Sequence, residues 1–209
     1  MSHGCSSDDF VSIIGKPLPE VKCDLPIMFL LENPGGDCGN GKAVTCDGVT
    51  KNPPVNHFYF SSELDHWPTT PDEIKNPYGD YFAYLMAKFG LANVYVTNCV
   101  KCEYSGDKKD PNGRYLKTAW NCMVRFLEKE IELFQPRLIV CFGRQVSDEL
   151  LYKKIECSGK PLGVPFVKSP KPLLHPSTPF NPYHRKKWPW AKFVQENDRR
   201  LQKALDSLP

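Results

Sequence analysis

Four short apolar runs, separated by helical periods and polar loops, constrain this chain more than any other feature. Leu25 to Leu31, Asn93 to Asn98, Leu138 to Phe142 and the stretch around 164–167 read as buried strands, the first closed by Pro34-Gly35-Gly36. Between the first two lies a helical period over Tyr78 to Phe89, where Phe82, Leu85, Met86 and Phe89 recur at three- and four-residue steps before Gly90 ends it. A longer one runs from Thr118 to Phe134, with Met123, Phe126, Leu127, Ile131 and Phe134 on one stripe and Pro136 as its stop. Further helices are expected near Gln145–Lys154 and from about Trp190 to Leu205, whereas residues 1–24, 36–57 and 103–116 are polar and irregular. Strands that alternate with helices predict an α/β fold: a single domain over 1–209, three-layer α/β/α, with a central, mostly parallel four-stranded sheet.

Composition narrows the function classes. Hydrophobic residues make up 41% and charged residues 24% of the 209 positions, the balance of a globular protein rather than a disordered one. The longest pure apolar runs, Ile27–Leu31 and Leu138–Phe142, are far too short to span a bilayer. The opening Met1-Ser2-His3-Gly4-Cys5 has neither the basic head nor the apolar core of a secretory signal. An intracellular protein, cytoplasmic or nuclear, with no membrane partner is therefore expected, as a monomer. A net charge of +3 does not by itself announce a nucleic-acid partner. Its distribution matters more: from Lys168 onward there are nine Lys or Arg against three Asp or Glu.

Ligands of open parallel sheets bind beyond the carboxyl ends of the strands. The first strand ends in Glu32-Asn33-Pro34-Gly35, the second in Thr97-Asn98, and the fourth is followed by Leu174-His175-Pro176-Ser177. Taken one at a time, Asn33 reads as a turn residue, Asn98 as a cap and His175 as structural. Together they bring two carboxamides, a carboxylate and an imidazole to one sheet edge.

These ordered motifs resemble the uracil-DNA glycosylase superfamily over roughly residues 25–180. Tyr78 to Gly143, including Val96-Thr97-Asn98-Cys99-Val100-Lys101-Cys102 and a helix led by Cys122, is similar to its iron–sulfur branch, families 4 and 5. Asn33 in the first motif is instead similar to the mismatch-specific and single-strand-selective branches. The resemblance implies hydrolysis of the bond between a deaminated base, uracil first, and its deoxyribose in DNA. Such chemistry needs an extruded base, a hydrogen-bond donor for the departing pyrimidine, and a water placed on the far side of the sugar carbon.

By resemblance, His175 supplies the donor as a neutral imidazole, and Asn98 reads the base edge with its paired donor and acceptor. Asn33 holds the water through its amide oxygen, or Glu32 acts on it as the family 4 carboxylate does; the sequence leaves both open. Phe60, with Phe58 beside it, matches the segment on which the base stacks, although alternating Phe58 and Phe60 also suit a core strand. The loop after the histidine would enter the duplex, with Phe180 as wedge and Ser177, Arg185, Lys186, Lys187 and Lys101 on the DNA backbone. A solvated basic turn is the plainer reading of that loop.

Nine cysteines is an odd and scattered set. Cys102 and Cys122 match two ligands of the family 4 cluster, but a [4Fe–4S] centre needs four thiolates, and the usual upstream Cys-x-x-Cys pair is missing. Cys5 and Cys23 are too far apart to replace it, Cys99 forms a local pair with Cys102, and Cys38 and Cys46 offer zinc. A structural cluster and reduced structural thiols both remain open, and neither is required for the hydrolysis. Two rivals stand beside the enzyme: a glycosylase-like fold that only binds DNA, and an α/β enzyme for a free nucleoside or nucleotide.

Overall fold

The computed structural model describes residues 18–32, 64–75, 78–99, 119–121, 123–144, 146, 167–168 and 171–208. Its central element is β1 (Ile27–Leu31), five apolar residues that are all buried. A strand without a polar face must be covered on both sides and flanked on both edges. β2 (Val94–Asn98) pairs with one edge, parallel, with Ile27 opposite Val94 and Leu31 opposite Asn98. β3 (Leu138–Cys141) pairs with the other, also parallel, with Ile27 opposite Leu138. The two-residue β4 (Val167–Lys168) lies parallel along β3, so the strand order is β2-β1-β3-β4. The carboxyl ends of β1, β2 and β3 thus lie side by side.

Successive side chains of a strand point to opposite faces, and two separate apolar clusters follow from that. Ile27, Phe29, Leu31, Val94, Val96, Leu138 and Val140 join the first. Over it pack α1 (Gly79–Phe89), through Tyr81, Phe82 and Leu85, and the last helix, through Phe193, Val194 and Leu201. Met28, Leu30, Tyr95, Ile139 and Cys141 point the other way, onto Met123, Leu127 and Ile131. Met123 and Leu127 lie on a π-helical turn, Met123–Leu127, that runs into α2 (Glu128–Phe134), which carries Ile131. The last helix, α3 (Trp190–Leu205), is joined to α1 at the surface, where Lys88 meets Asp198 at 2.6 Å and the Tyr84 hydroxyl donates to the same carboxylate at 3.0 Å.

The expected α/β class and parallel sheet are found. Within the expected Thr118–Phe134 helix the stripe needs correction. Met123, Leu127 and Ile131 are buried as expected, but Phe126 is 37% exposed. The π turn closes i to i+5, so it carries more residues per turn than an α turn and rotates Phe126 off the inward face. Of the span 145–154 only Val146 is described, and it is buried in the second cluster. β4 begins at Val167, at the end of the run expected around 164–167; Pro165 has no N–H for a ladder, which suits pairing that starts after it. Among the described residues no helix is long and apolar enough to cross a membrane.

One glycine fixes the amino-terminal edge of the sheet. Gly90 closes α1 at φ 61, in the left-handed region, and its carbonyl accepts the N–H of Lys22 at 2.9 Å and of Cys23 at 3.0 Å. A Cβ there would lie 2.5 Å from the Lys22 nitrogen, so no larger residue lets the two segments approach.

Candidate active site

The site forms where β1, β2 and β3 run out. Asn98 is the last residue of β2 and is only 5% exposed. Strand alternation puts its side chain on the face of Val94 and Val96, the α1 side. Next to it the Cys99 N–H donates to the Leu31 carbonyl at 2.8 Å, which carries the pairing one residue further and sets half-buried Glu32 level with Cys99, one residue past the Leu31–Asn98 pair. Two strand spacings away, about 10 Å across the sheet, β3 runs out into Phe142 and Gly143.

His175 reaches this edge because its chain extends β3's hydrogen bonding. Leu173 donates to the Cys141 carbonyl and accepts from Gly143, both at 2.8 Å, and forms a parallel bridge with Phe142. Gly143 sits at φ 95, again left-handed, and a Cβ built on it would be 3.8 Å from the His175 Cβ. Its backbone therefore passes directly beside the histidine. The His175 ring stands edge-on to Tyr78 at the start of α1, with centroids 6.0 Å apart and planes at 76°. Tyr78 in turn packs on Phe82 in the first cluster. Asn98 and His175 therefore both belong to the α1 face of the same sheet edge.

The environment of the imidazole also orders its nitrogens. His175 Nδ1 lies 2.7 Å from the Ser177 Oγ and 3.3 Å from the Ser177 backbone nitrogen. A backbone N–H can only donate, so Nδ1 accepts and the proton of a neutral ring belongs on Nε2. The histidine carbonyl accepts from Thr178 N–H at 2.8 Å and starts the turn that follows.

Leu174, between the sheet-bonded Leu173 and the histidine, turns its peptide groups to α3. The Asn197 Oδ1 accepts the Leu174 N–H at 2.6 Å, and Nδ2 donates to the Leu174 carbonyl at 3.0 Å. Asn197 is fully buried on a stripe otherwise made of Phe193, Val194, Leu201 and Ala204. A peptide left without partners there would cost about 1–3 kcal/mol per group, which accounts for an amide on an apolar stripe. One turn along, Arg200 donates to the Pro172 carbonyl and to Glu196, the latter at 2.7 Å. The Arg199 guanidinium first, with Arg200, holds the Glu196 carboxyl down at about 2, against the opposing effect of burial.

After the histidine, Thr178–Phe180 makes one 3₁₀ turn and the chain coils through successive turns to α3. Ser177, Arg185, Lys186 and Lys187 are exposed. Phe180 is 58% exposed, with its ring 5.7 Å from Trp190, and Tyr183 is 90% exposed. Trp190 is anchored by its own indole N–H, which donates to the Pro71 carbonyl at 2.9 Å, and by stacking on Phe193.

Of the expected site residues, Glu32, Asn98, His175, Ser177, Phe180, Arg185, Lys186 and Lys187 are described, and the first three share the strand-end edge. Asn33, Phe58, Phe60, Lys101, Cys102 and Cys122 lie outside the described residues. Sequence reasoning missed Tyr78 and Asn197. For Asn197 there was a signal: a lone amide at a helix position whose neighbours at three- and four-residue steps are apolar. The described cysteines do not assemble a cluster site. Cys99 and Cys141 are buried in the second apolar cluster, and Cys23 bridges Leu91 at the opposite end of the sheet. Among the described residues no group of three or more His, Cys, Asp or Glu side chains fits a metal, so nothing there fits an iron–sulfur cluster.

The family model described as the uracil DNA glycosylase superfamily matches residues 18–197, which takes in every described strand, α1, α2 and the first half of α3. No curated protein matches the chain.

Proposed function

We propose a function from one premise: this chain belongs to the uracil DNA glycosylase superfamily. The reading is a monofunctional DNA glycosylase that removes uracil, and other deaminated bases of similar edge, as the first step of base-excision repair. Within the superfamily we read it as nearest the iron–sulfur families 4 and 5, and its sheet as the middle of a three-layer α/β/α domain. The observation that carries the proposal is the setting of His175, beside the Gly143 backbone and on the same sheet face as buried Asn98.

In the reaction, the bond from the sugar C1′ to the uracil N1 breaks with its electron pair going to the base. Charge then gathers on the pyrimidine oxygens, where the Nε2–H of His175 donates a hydrogen bond that strengthens as the bond opens. The contacts at Nδ1 prepare that nitrogen in advance. Asn98 offers an N–H and a C=O to the adjacent carbonyl and N–H of uracil. A water, held by Asn33 or Glu32, gives its oxygen to C1′ and its proton to the departing base. Free uracil and an abasic sugar result, and the step needs no cofactor. Phe60, with Phe58, supports the extruded ring. Phe180, seated on Trp190, fills the gap it leaves, while Arg185, Lys186, Lys187, Ser177 and Lys101 hold the DNA backbone.

Release of free uracil from uracil-containing oligonucleotides, single- and double-stranded, tests the proposal. Tight binding of either DNA without base release would replace the enzyme by a binding protein on the same fold. Activity on deoxyuridine alone would replace DNA by a free nucleoside.

A further inference from the structure

We infer that Asn197 is the positioning residue for His175, fixing the imidazole's place at the strand ends from α3. The inference deepens the proposed function and rests on its assignment of His175 as the donor to the leaving base.

Three consecutive residues lead to the ring, and each is held by a different part of the protein. Leu173 is bound by the edge of β3. In a strand-like segment the next residue's N–H and C=O point the opposite way, and for Leu174 that direction is α3. Asn197 meets both groups, with an acceptor for the N–H at 2.6 Å and a donor for the C=O at 3.0 Å, as the peptide of a neighbouring strand would.

The second hydrogen of Nδ2 goes to the Tyr81 hydroxyl at 2.8 Å. Both amide hydrogens are then used, and a flipped amide would set donor against donor at Leu174. Burial pushes the Tyr81 phenol well above its ordinary value, so the hydroxyl stays neutral beside the amide. Tyr81 belongs to α1, three residues past Tyr78, whose ring meets the histidine. Asn197 therefore joins α3, α1 and the residue before His175 through a single side chain. Donors aimed at developing charge work only at the right place, and misplacement by about 1 Å costs on the order of 10²-fold in rate.

A double-mutant cycle on uracil-containing single-stranded oligonucleotide tests this, with single-turnover base release and DNA affinity measured for each protein. Asn197→Asp keeps the volume and the acceptor but removes both donors and puts a carboxylate oxygen against the Leu174 carbonyl. Its expected effect is a rate lower by about 30- to 100-fold with DNA affinity changed less than about threefold. In a His175→Ala background the same substitution should change the residual rate less than about threefold, because the group it positions is gone. An equal loss in both backgrounds, or an unchanged rate, overturns the inference. Where circular dichroism shows that Asn197→Asp does not fold, Tyr81→Phe carries the test: it removes only the hydroxyl and should give a smaller loss, about three- to tenfold, again confined to the background that keeps His175. If His175→Ala alone leaves base release intact, it is the assignment of the histidine that fails.

Discussion

Leu173–Ser177 and the turns from Thr178 to Lys187 adjoin in sequence but are held in opposite ways. The first segment is tied to distant parts of the chain: Leu173 to β3, Leu174 to Asn197, His175 to Tyr78. The second is closed by short-range bonds, such as Asn181 N–H to Ser177, Arg185 N–H to Asn181 and Trp188 N–H to His184. In the proposed reaction the first carries the ring that meets the developing charge to within a fraction of an ångström, and the second carries exposed Phe180 and three cations proposed to follow the contour of a duplex. Distant ties suit chemistry, and local ones suit grip.

The largest effect should test the tied segment. Replacing His175 with Ala should lower the single-turnover rate by about 10²–10³-fold while DNA affinity stays within about threefold. Equal losses in rate and affinity would mean that the histidine serves binding. Asn98→Ala should cost about 10- to 100-fold, since it strips a base-edge hydrogen-bond pair from a buried position; a loss seen only in affinity for undamaged DNA would remove it from the pocket.

Changing Arg185, Lys186 and Lys187 together to Ala should weaken DNA binding by about tenfold near physiological salt and flatten the salt dependence of log affinity by up to about three. The rate at saturating DNA should hold. A slowed chemical step there would erase the contrast between the two segments. Phe180→Ala should lower activity on double-stranded substrate by about three- to tenfold and spare single strands, where no stack needs propping.

The smallest effect concerns the Arg200 leash on Pro172. Glu196 in the fold titrates at about 2 rather than its ordinary 4.5, so its contribution to stability is complete above about 4.5 and is lost as pH falls toward 2. The melting temperatures of the parent and of Glu196→Gln should differ slightly at neutral pH and converge in acid; partial exposure of the pair keeps the difference small. A gap that widens on acidification would contradict the assignment.

Elements with a strong period were legible in the sequence. Ile27–Leu31, Val94–Asn98, Leu138–Cys141, Gly79–Phe89 and Trp190–Leu205 lie within a residue or two of their expected spans, because apolar periodicity and a closing Pro or Gly define them locally. Phe126 was misplaced because a π turn has no local signature in a stripe that reads equally well at 3.6 residues per turn. His175 and Asn98 could be placed on one edge from strand order alone. Asn197 and Tyr78 could not be joined to them, because their partners are 23 and 97 residues away, and nothing in a sequence names the peptide a buried amide will face.

The parallel register has a further consequence, for how the protein is born. Ile27 must find Val94 and Leu138, 67 and 111 positions later. On the ribosome the innermost strand is thus the earliest made, and it waits, greasy on both sides, until each flanking partner emerges. Such long-range pairing slows folding relative to helical bundles of like size and leaves a nascent chain prone to stick to its neighbours. The very strand whose tip leads into the candidate site is the one most dependent on what has yet to be synthesised.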